Sequence, residues 1–111
     1  MLVEALFTDL DGTLIPPDVS REAARLTSRL HAALSRLSEE LKLAVITTKD
    51  YHFASRPVPF AHAWATVGGL EITTRDNMSY VDERVAERQH AIRRVLSLAE
   101  ELASGLDGIV V

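Results

Sequence analysis

Short apolar runs alternate with segments of helical periodicity along this sequence, and the alternation constrains the fold more than any other feature. The runs at residues 2–8 and 43–46 are largely apolar, as is typical of buried parallel strands, although periodicity alone also allows a buried helix. Between them, apolar residues recur at gaps of three and four, which predicts an amphipathic helix over about residues 20–40, with Ser20 as its N-cap. This order predicts an α/β fold, a Rossmann-like parallel sheet with flanking helices.

The rest of the sequence continues the alternation as far as its last residues. We expect a helical turn at 50–55, strands at 61–67, 70–74 and 78–81, and a long helix at 82–104 that Gly105 ends. The final apolar run, 108–111, reads as a strand cut short. We therefore expect an incomplete sheet with an unpaired edge, and self-association of the chain as it stands.

Composition excludes several classes of function. The net charge of −4 argues against a nucleic-acid partner, and the absence of cysteine excludes thiol chemistry and cysteine-ligated zinc. No stretch is long and apolar enough to predict a membrane span, and the apolar N-terminus lacks the basic residues of a signal peptide. A cytoplasmic protein without a membrane partner is the prediction.

Two carboxylates follow the first apolar run. Asp9 and Asp11 are separated by one residue and followed by Gly12, where the first strand is predicted to end. Ligands of open α/β sheets bind beyond the carboxyl ends of the strands, and paired carboxylates attract Mg²⁺ where phosphate is the substrate. The same letters also fit a hairpin turn or a solvated turn with no chemistry.

The segment from Phe7 to Leu14 resembles motif I of the haloacid dehalogenase (HAD) superfamily of phosphatases, a hydrophobic strand followed by Asp-x-Asp-Gly-Thr-Leu. Leu43–Thr48 resembles motif II, an apolar strand that ends in Thr or Ser. Residues 68–72 resemble the stretch that precedes the cap in relatives with a C2-type cap, except that Val67 stands where Asn is usual. These relatives include sugar-phosphate phosphatases and Cof-like phosphatases.

The resemblance implies a phosphomonoester hydrolase whose nucleophile is Asp9, which forms an aspartyl-phosphate. Asp11 would be the general acid and base, and both residues would bind the Mg²⁺ cofactor. The other site residues that we predict bind the phosphate, Gly12, Thr47 and Thr48, or contact the substrate, Lys49 and Arg56. A helix N-terminus near Lys49 would also favour the anion.

The resemblance further divides the chain into a HAD-like core at residues 1–76 and the start of a cap, a helix and then a strand, at 77–111. The lysine of motif III and the acidic residues of motif IV have no counterpart here, since the only lysines are Lys42 and Lys49. We therefore expect weak or no activity from this short chain, and a complementing chain as one source of the missing groups. The alternative function is a non-catalytic module that binds phosphate or a sugar phosphate.

Overall fold

The computed structural model describes residues 2–109, and within them five strands form one sheet. The strands are β1 (Ala5–Thr8), β2 (Lys42–Ile46), β3 (Ala63–Thr66), β4 (Glu71–Thr74) and β5 (Ser79–Val81). They lie side by side in the order β1-β2-β3-β4-β5. The predicted α/β class is confirmed.

The first three strands are parallel, and the fourth reverses direction. Thr8 of β1 lies opposite Val45 of β2, and Ile46 lies opposite Ala65 of β3. β4 pairs antiparallel to β3, so the sheet is mixed rather than wholly parallel. Because β1, β2 and β3 point the same way, the segments that follow Thr8, Ile46 and Thr66 leave the sheet at one edge, which we call the carboxyl edge.

One face of the sheet carries the core. The helices α1 (Ser28–Glu40) and α2 (Tyr51–Ser55) each bury residues, Leu34 of the first and Phe53 of the second among them. Leu43, Val45 and Trp64, which alternate with exposed or half-buried positions on β2 and β3, belong to the same cluster. The predicted place of Trp64 in the core is confirmed.

The opposite face of the sheet is apolar and open to solvent. Phe7 is 66% exposed, and Ile46 and Ile72 are also exposed. The prediction that the first strand is buried is therefore wrong: β1 is the outermost strand of the sheet, and its residues alternate between exposed and half-buried.

The first helix begins later than its apolar periodicity suggests. Thr27 is the N-cap of α1 and accepts a hydrogen bond from the backbone N–H of Leu30. Ser20, the predicted cap, instead accepts from Ala23 N–H and closes an isolated turn. The apolar spacing continues through this turn, and Leu26 packs against the core without being helical.

The chain consists of two compact units, Met1–Tyr80 and Val81–Val111. The second contains α3 (Glu83–Glu87) and α4 (Gln89–Ala103), which replace the single predicted helix, since the backbone of Arg88 departs from helical values. Gly105 follows α4 with a φ of 84°, which agrees with its predicted role in ending the helix. The predicted last strand is not seen at Gly108 and Ile109, and Val110 and Val111 lie outside the described residues.

Candidate active site at the carboxyl edge

The acidic turn after β1 is anchored by the two buried residues at its ends. Leu10 and Ile15 are almost fully buried, and the carbonyl of Leu10 accepts the backbone N–H groups of Thr13, Leu14 and Ile15. Gly12 donates its N–H to the carbonyl of Ile15 at 2.7 Å. Its φ of 76° is a left-handed conformation that glycine adopts without strain. The loop is a fixed turn that begins with an acidic residue.

The carboxylate of Asp9 is held at both of its oxygens. Oδ1 accepts the backbone N–H of Leu10 at 2.8 Å, and Oδ2 accepts the hydroxyl of Thr13 at 3.4 Å. Asp9 is exposed and Asp11 is half-buried. The predicted nucleophile is therefore oriented yet open to a ligand. Sequence reasoning missed the part that Thr13 plays here, although Thr13 belongs to the motif that was recognised.

Thr47 leaves β2 at the same edge of the sheet. Its side chain is buried, and its Oγ1 accepts the backbone N–H of Lys49 at 3.1 Å. Since Thr8 pairs with Val45, Asp9 and Thr47 both belong to the first residues beyond the paired ends of β1 and β2. The parallel register thus brings the two predicted motifs to one edge. Thr48 follows Thr47 and is exposed.

A turn after β3 fastens the Thr47 loop. Thr47 donates its N–H to the carbonyl of Ala65 at 2.9 Å and accepts the N–H of Gly68 at 3.2 Å. The N–H of Val67 donates to the carbonyl of Lys49 at 3.0 Å. The stretch that lacks the usual Asn is therefore part of the candidate site, as a support for the Thr47 loop.

Lys49 lies beside the aromatic ring of Phe53, with its Nζ 5.5 Å from the ring centroid. The guanidinium of Arg21 lies 5.6 Å from the same centroid and forms an ion pair with Asp50. Arg21 is a neighbour that sequence reasoning missed, because nothing in the sequence links it to a loop 29 residues away.

The N-terminus of α2 has fewer free backbone N–H groups to bind an anion than the sequence suggested. The carboxylate of Asp50 already accepts the N–H of Phe53 at 3.0 Å, and the helix has only five residues. Burial alone would raise the pKa of Asp50, but the N–H of Phe53 and the guanidinium of Arg21 together lower it below its usual value of 3.8. The predicted anion site at this helix end is therefore occupied by the chain's own carboxylate. Arg56 follows the opposite end of the helix, away from Thr47.

The remaining lysine, Lys42, lies in a groove at the other end of the sheet. Lys42 begins β2 and lines a groove of about 350 Å³ together with Glu4 and His62. The backbone N–H of Leu43 donates to Nδ1 of His62 at 3.1 Å. Burial, followed by the charges of Arg75 and Lys42, lowers the pKa of His62 below 6.5. This groove is separate from the acidic turn.

The side chains at the acidic turn could supply only some of the ligands that a Mg²⁺ ion requires. Among residues 2–109 there is no group of three or more His, Cys, Asp or Glu side chains placed to hold a metal ion. Mg²⁺ is commonly bound by one or two carboxylates and completes its shell with water and phosphate oxygens. Asp9 and Asp11 fit that arrangement, and a cage made of protein ligands alone does not.

Neither the protein-family models nor the curated proteins match this sequence. In the described part of the chain, no helix is long and apolar enough to cross a membrane. Solved structures, in contrast, share its fold.

A trehalose-6-phosphate phosphatase related protein superposes with a TM-score of 0.78 over 96% of this chain and 46% of its own, at 19% identity. The C-terminal domain of C. albicans trehalose-6-phosphate phosphatase gives a TM-score of 0.65 over 88% of this chain and 36% of its own, at 20% identity. A phosphatase of the haloalkanoate (HAD) enzyme superfamily from Bacteroides thetaiotaomicron superposes with a TM-score of 0.55. The match covers 86% of this chain and 37% of that structure, at 20% sequence identity.

The chain spans less than half the length of each of these structures. The chain has the fold of the HAD-superfamily phosphatases.

Proposed function

We propose that this chain carries the nucleophile half of a Mg²⁺-dependent phosphomonoester hydrolase that acts through an aspartyl-phosphate. The observation that carries the proposal is the parallel register of β1 and β2, which brings the anchored turn of Asp9 and Asp11 to the same edge as Thr47. The trehalose-6-phosphate phosphatases among the structures of similar fold favour a sugar phosphate or another small phosphorylated metabolite as the substrate.

The proposed reaction has two steps. A carboxylate oxygen of Asp9 attacks phosphorus, the bond from phosphorus to the ester oxygen breaks, and the carboxyl group of Asp11 gives its proton to the leaving alkoxide. Asp11, now ionised, removes a proton from water as the water oxygen attacks phosphorus. The bond from phosphorus to the carboxylate oxygen of Asp9 breaks, which releases phosphate, and both Asp9 and Asp11 return to their starting states. The product alcohol and phosphate account for every atom of the ester and the water.

The surrounding groups have separate tasks. Thr13 and the N–H of Leu10 orient the carboxylate of Asp9 for attack. The hydroxyl of Thr47 and the N–H group of Thr48 are the proposed hydrogen-bond donors to phosphate oxygens. The N–H of Gly12, which the sequence also suggested, already donates to the carbonyl of Ile15, so Gly12 shapes the turn instead. When bound by Asp9 and Asp11, Mg²⁺ would offset the negative charge shared by the carboxylates and the phosphate.

Lys49 and Arg56 are the proposed contacts to the rest of the substrate. The position of Lys49 supports its role better, because the backbone N–H of Lys49 is bonded to Thr47 and its ammonium group lies near Phe53. Arg56 lies at the far end of α2. Its contact would require a substrate that extends along that helix.

A second candidate function is a non-catalytic module that binds phosphate and acts with a partner chain. Two observations favour it: Lys42 lies at the end of β2 opposite the acidic turn, and no third acidic or imidazole side chain joins Asp9 and Asp11 in the described residues. The partner would supply a lysine and further carboxylates. The exposed apolar face around Phe7 is the surface we propose for it.

Hydrolysis of a generic phosphomonoester by the full chain, with and without Mg²⁺, separates the two candidates. The catalytic proposal expects slow Mg²⁺-dependent turnover that Asp9→Asn abolishes and that the matched variant Asp18→Asn, at an exposed position outside the turn, leaves unchanged. Phosphate binding without turnover favours the module. Turnover that survives in Asp9→Asn contradicts the mechanism, and the absence of both turnover and binding contradicts both functions.

A further inference from the structure

One buried hydroxyl group lies beside the candidate site without a partner. Thr66, the last residue of β3, has no solvent-exposed surface. Its Oγ1 has no hydrogen-bond partner among the residues that the structure describes. Leaving a polar atom buried and unpaired costs stability, so a native protein that retains one calls for an explanation.

The register places this hydroxyl next to Thr47. Ile46 pairs with Ala65, and the N–H of Thr47 donates to the carbonyl of Ala65, so Thr47 and Thr66 are neighbours across the parallel strands. Side chains alternate between the faces of a strand, and both threonines fall on the core face with Val45 and Trp64. Adjacent strands lie about 4.8 Å apart, which brings the two hydroxyl groups within reach of each other after a rotation about χ1.

The hydrogen-bonding capacity of Thr47 gives this neighbour a task. A threonine hydroxyl has one proton to donate and two lone pairs that accept. One lone pair of Thr47 Oγ1 already accepts the N–H of Lys49 at 3.1 Å. If the hydroxyl of Thr66 fills the second lone pair, the proton of Thr47 is left to point away from both donors.

We propose that Thr66 is a positioning residue that acts through Thr47. When phosphate binds, the hydroxyl of Thr66 donates to Oγ1 of Thr47, which directs the Thr47 proton toward a phosphate oxygen. The unpaired hydroxyl of the structure is then the resting state of a short chain of hydrogen bonds that phosphate completes. This inference rests on the proposed role of Thr47 in binding phosphate.

The test is the affinity of the full chain for inorganic phosphate in the presence of Mg²⁺, measured by NMR titration. We compare the wild type with Thr66→Val, which removes the hydroxyl at nearly constant shape, and with Thr66→Ser, which restores it. Thr73→Val is the matched control, because Thr73 lies opposite Trp64 on β4 and shares that face. Urea unfolding of each variant establishes that it is folded.

We expect Thr66→Val to weaken phosphate binding about fivefold, the worth of one neutral hydrogen bond, with an unfolding midpoint no lower than that of the wild type. Thr66→Ser restores affinity to within about twofold, and Thr73→Val binds like the wild type. In a Thr47→Val background, Thr66→Val has no further effect, because Thr66 acts only through Thr47.

Three results overturn the inference. Unchanged affinity in Thr66→Val, with Thr47→Val weakened, removes the role of Thr66 and leaves the proposed function in place. Additive losses in the double variant show that Thr66 does not act through Thr47. If the wild type binds no phosphate, or if Thr47→Val binds phosphate as tightly as the wild type does, the proposed role of Thr47 is wrong and this inference fails with it.

Discussion

At the scale of single residues, the turn that supports the candidate site contains backbone conformations that lower the stability of the fold. Val67 has a φ of 51°, and Gly68 and Gly69 follow with positive φ. A β-branched residue in this left-handed region is crowded, whereas Asn tolerates it. Val67 therefore stores strain beside the Thr47 loop, at the position where the family that the sequence resembles usually has Asn.

Replacing Val67 should therefore stabilise the protein. We expect Val67→Asn to raise the free energy of unfolding by about 1 kcal/mol, because the left-handed conformation is relieved while a half-exposed side chain loses little burial. Urea unfolding measures the change. Val95→Asn, at an exposed position of α4 with helical backbone, is the control and should bring no gain. If Val67→Asn is no more stable than the wild type, the conclusion that Val67 is strained is wrong.

His62 makes stability depend on pH. Burial lowers its pKa in the folded chain below 6.5, so the unfolded chain binds a proton more readily. Its contribution is complete above about pH 6.5 and is lost as the pH falls toward the folded pKa. We expect the wild type to lose more stability between about pH 7.5 and about pH 5 than His62→Asn, whose side-chain oxygen can still accept the N–H of Leu43. Equal losses in both proteins would exclude His62 as the source.

At the scale of elements, apolar patterns identified the strands and missed where one helix begins. The runs at 43–46 and 61–67 correspond to β2 and β3, and Asp50–Ser55 to the capped helix α2. Residues 20–27 share the apolar spacing of α1, but Ser20 closes an isolated turn and Thr27 caps the helix. Propensity is weak in such cases, since packing overrides it.

Substitution of Thr27 and of Ser20 tests directly where the helix begins. Thr27→Ala should cost about 1 kcal/mol of stability, because the first turn of α1 loses its cap. Ser20→Ala should cost much less, since it releases only one hydrogen bond in an exposed turn. Thermal or urea unfolding of the two variants compares them. A larger loss for Ser20→Ala would support the longer helix that the sequence predicts.

At the scale of the whole molecule, the sequence predicted which residues share the carboxyl edge. It did not predict the contacts that hold them there. Asp9, Gly12 and Thr47 follow strands, so a parallel sheet brings them together whatever the details. The contacts of Thr66, Val67 and Arg21 depend on register and on loops that no periodicity encodes. The exposure of Phe7 was also missed, because an apolar run does not reveal whether anything covers it.

That exposed face predicts how the chain behaves in solution. Phe7 lies on β1, the strand at the edge of the described sheet, and apolar edge strands favour association. We expect the mass measured by sedimentation to rise with concentration, and Phe7→Lys to reduce that rise by removing the apolar contact. Leu98→Lys, on the exposed surface of α4, tests whether any added charge has the same effect. A wild type that stays monomeric contradicts the prediction.

The central claim is that phosphate and Mg²⁺ bind at the carboxyl edge, and a residue-resolved NMR titration of the full chain tests it most directly. The account predicts that amide shifts concentrate at residues 9–13 and 47–49 and that Asp9→Asn abolishes them. Shifts that concentrate instead around Glu4, Lys42 and His62, at the opposite end of the sheet, would contradict it, as would shifts that persist unchanged in Asp9→Asn.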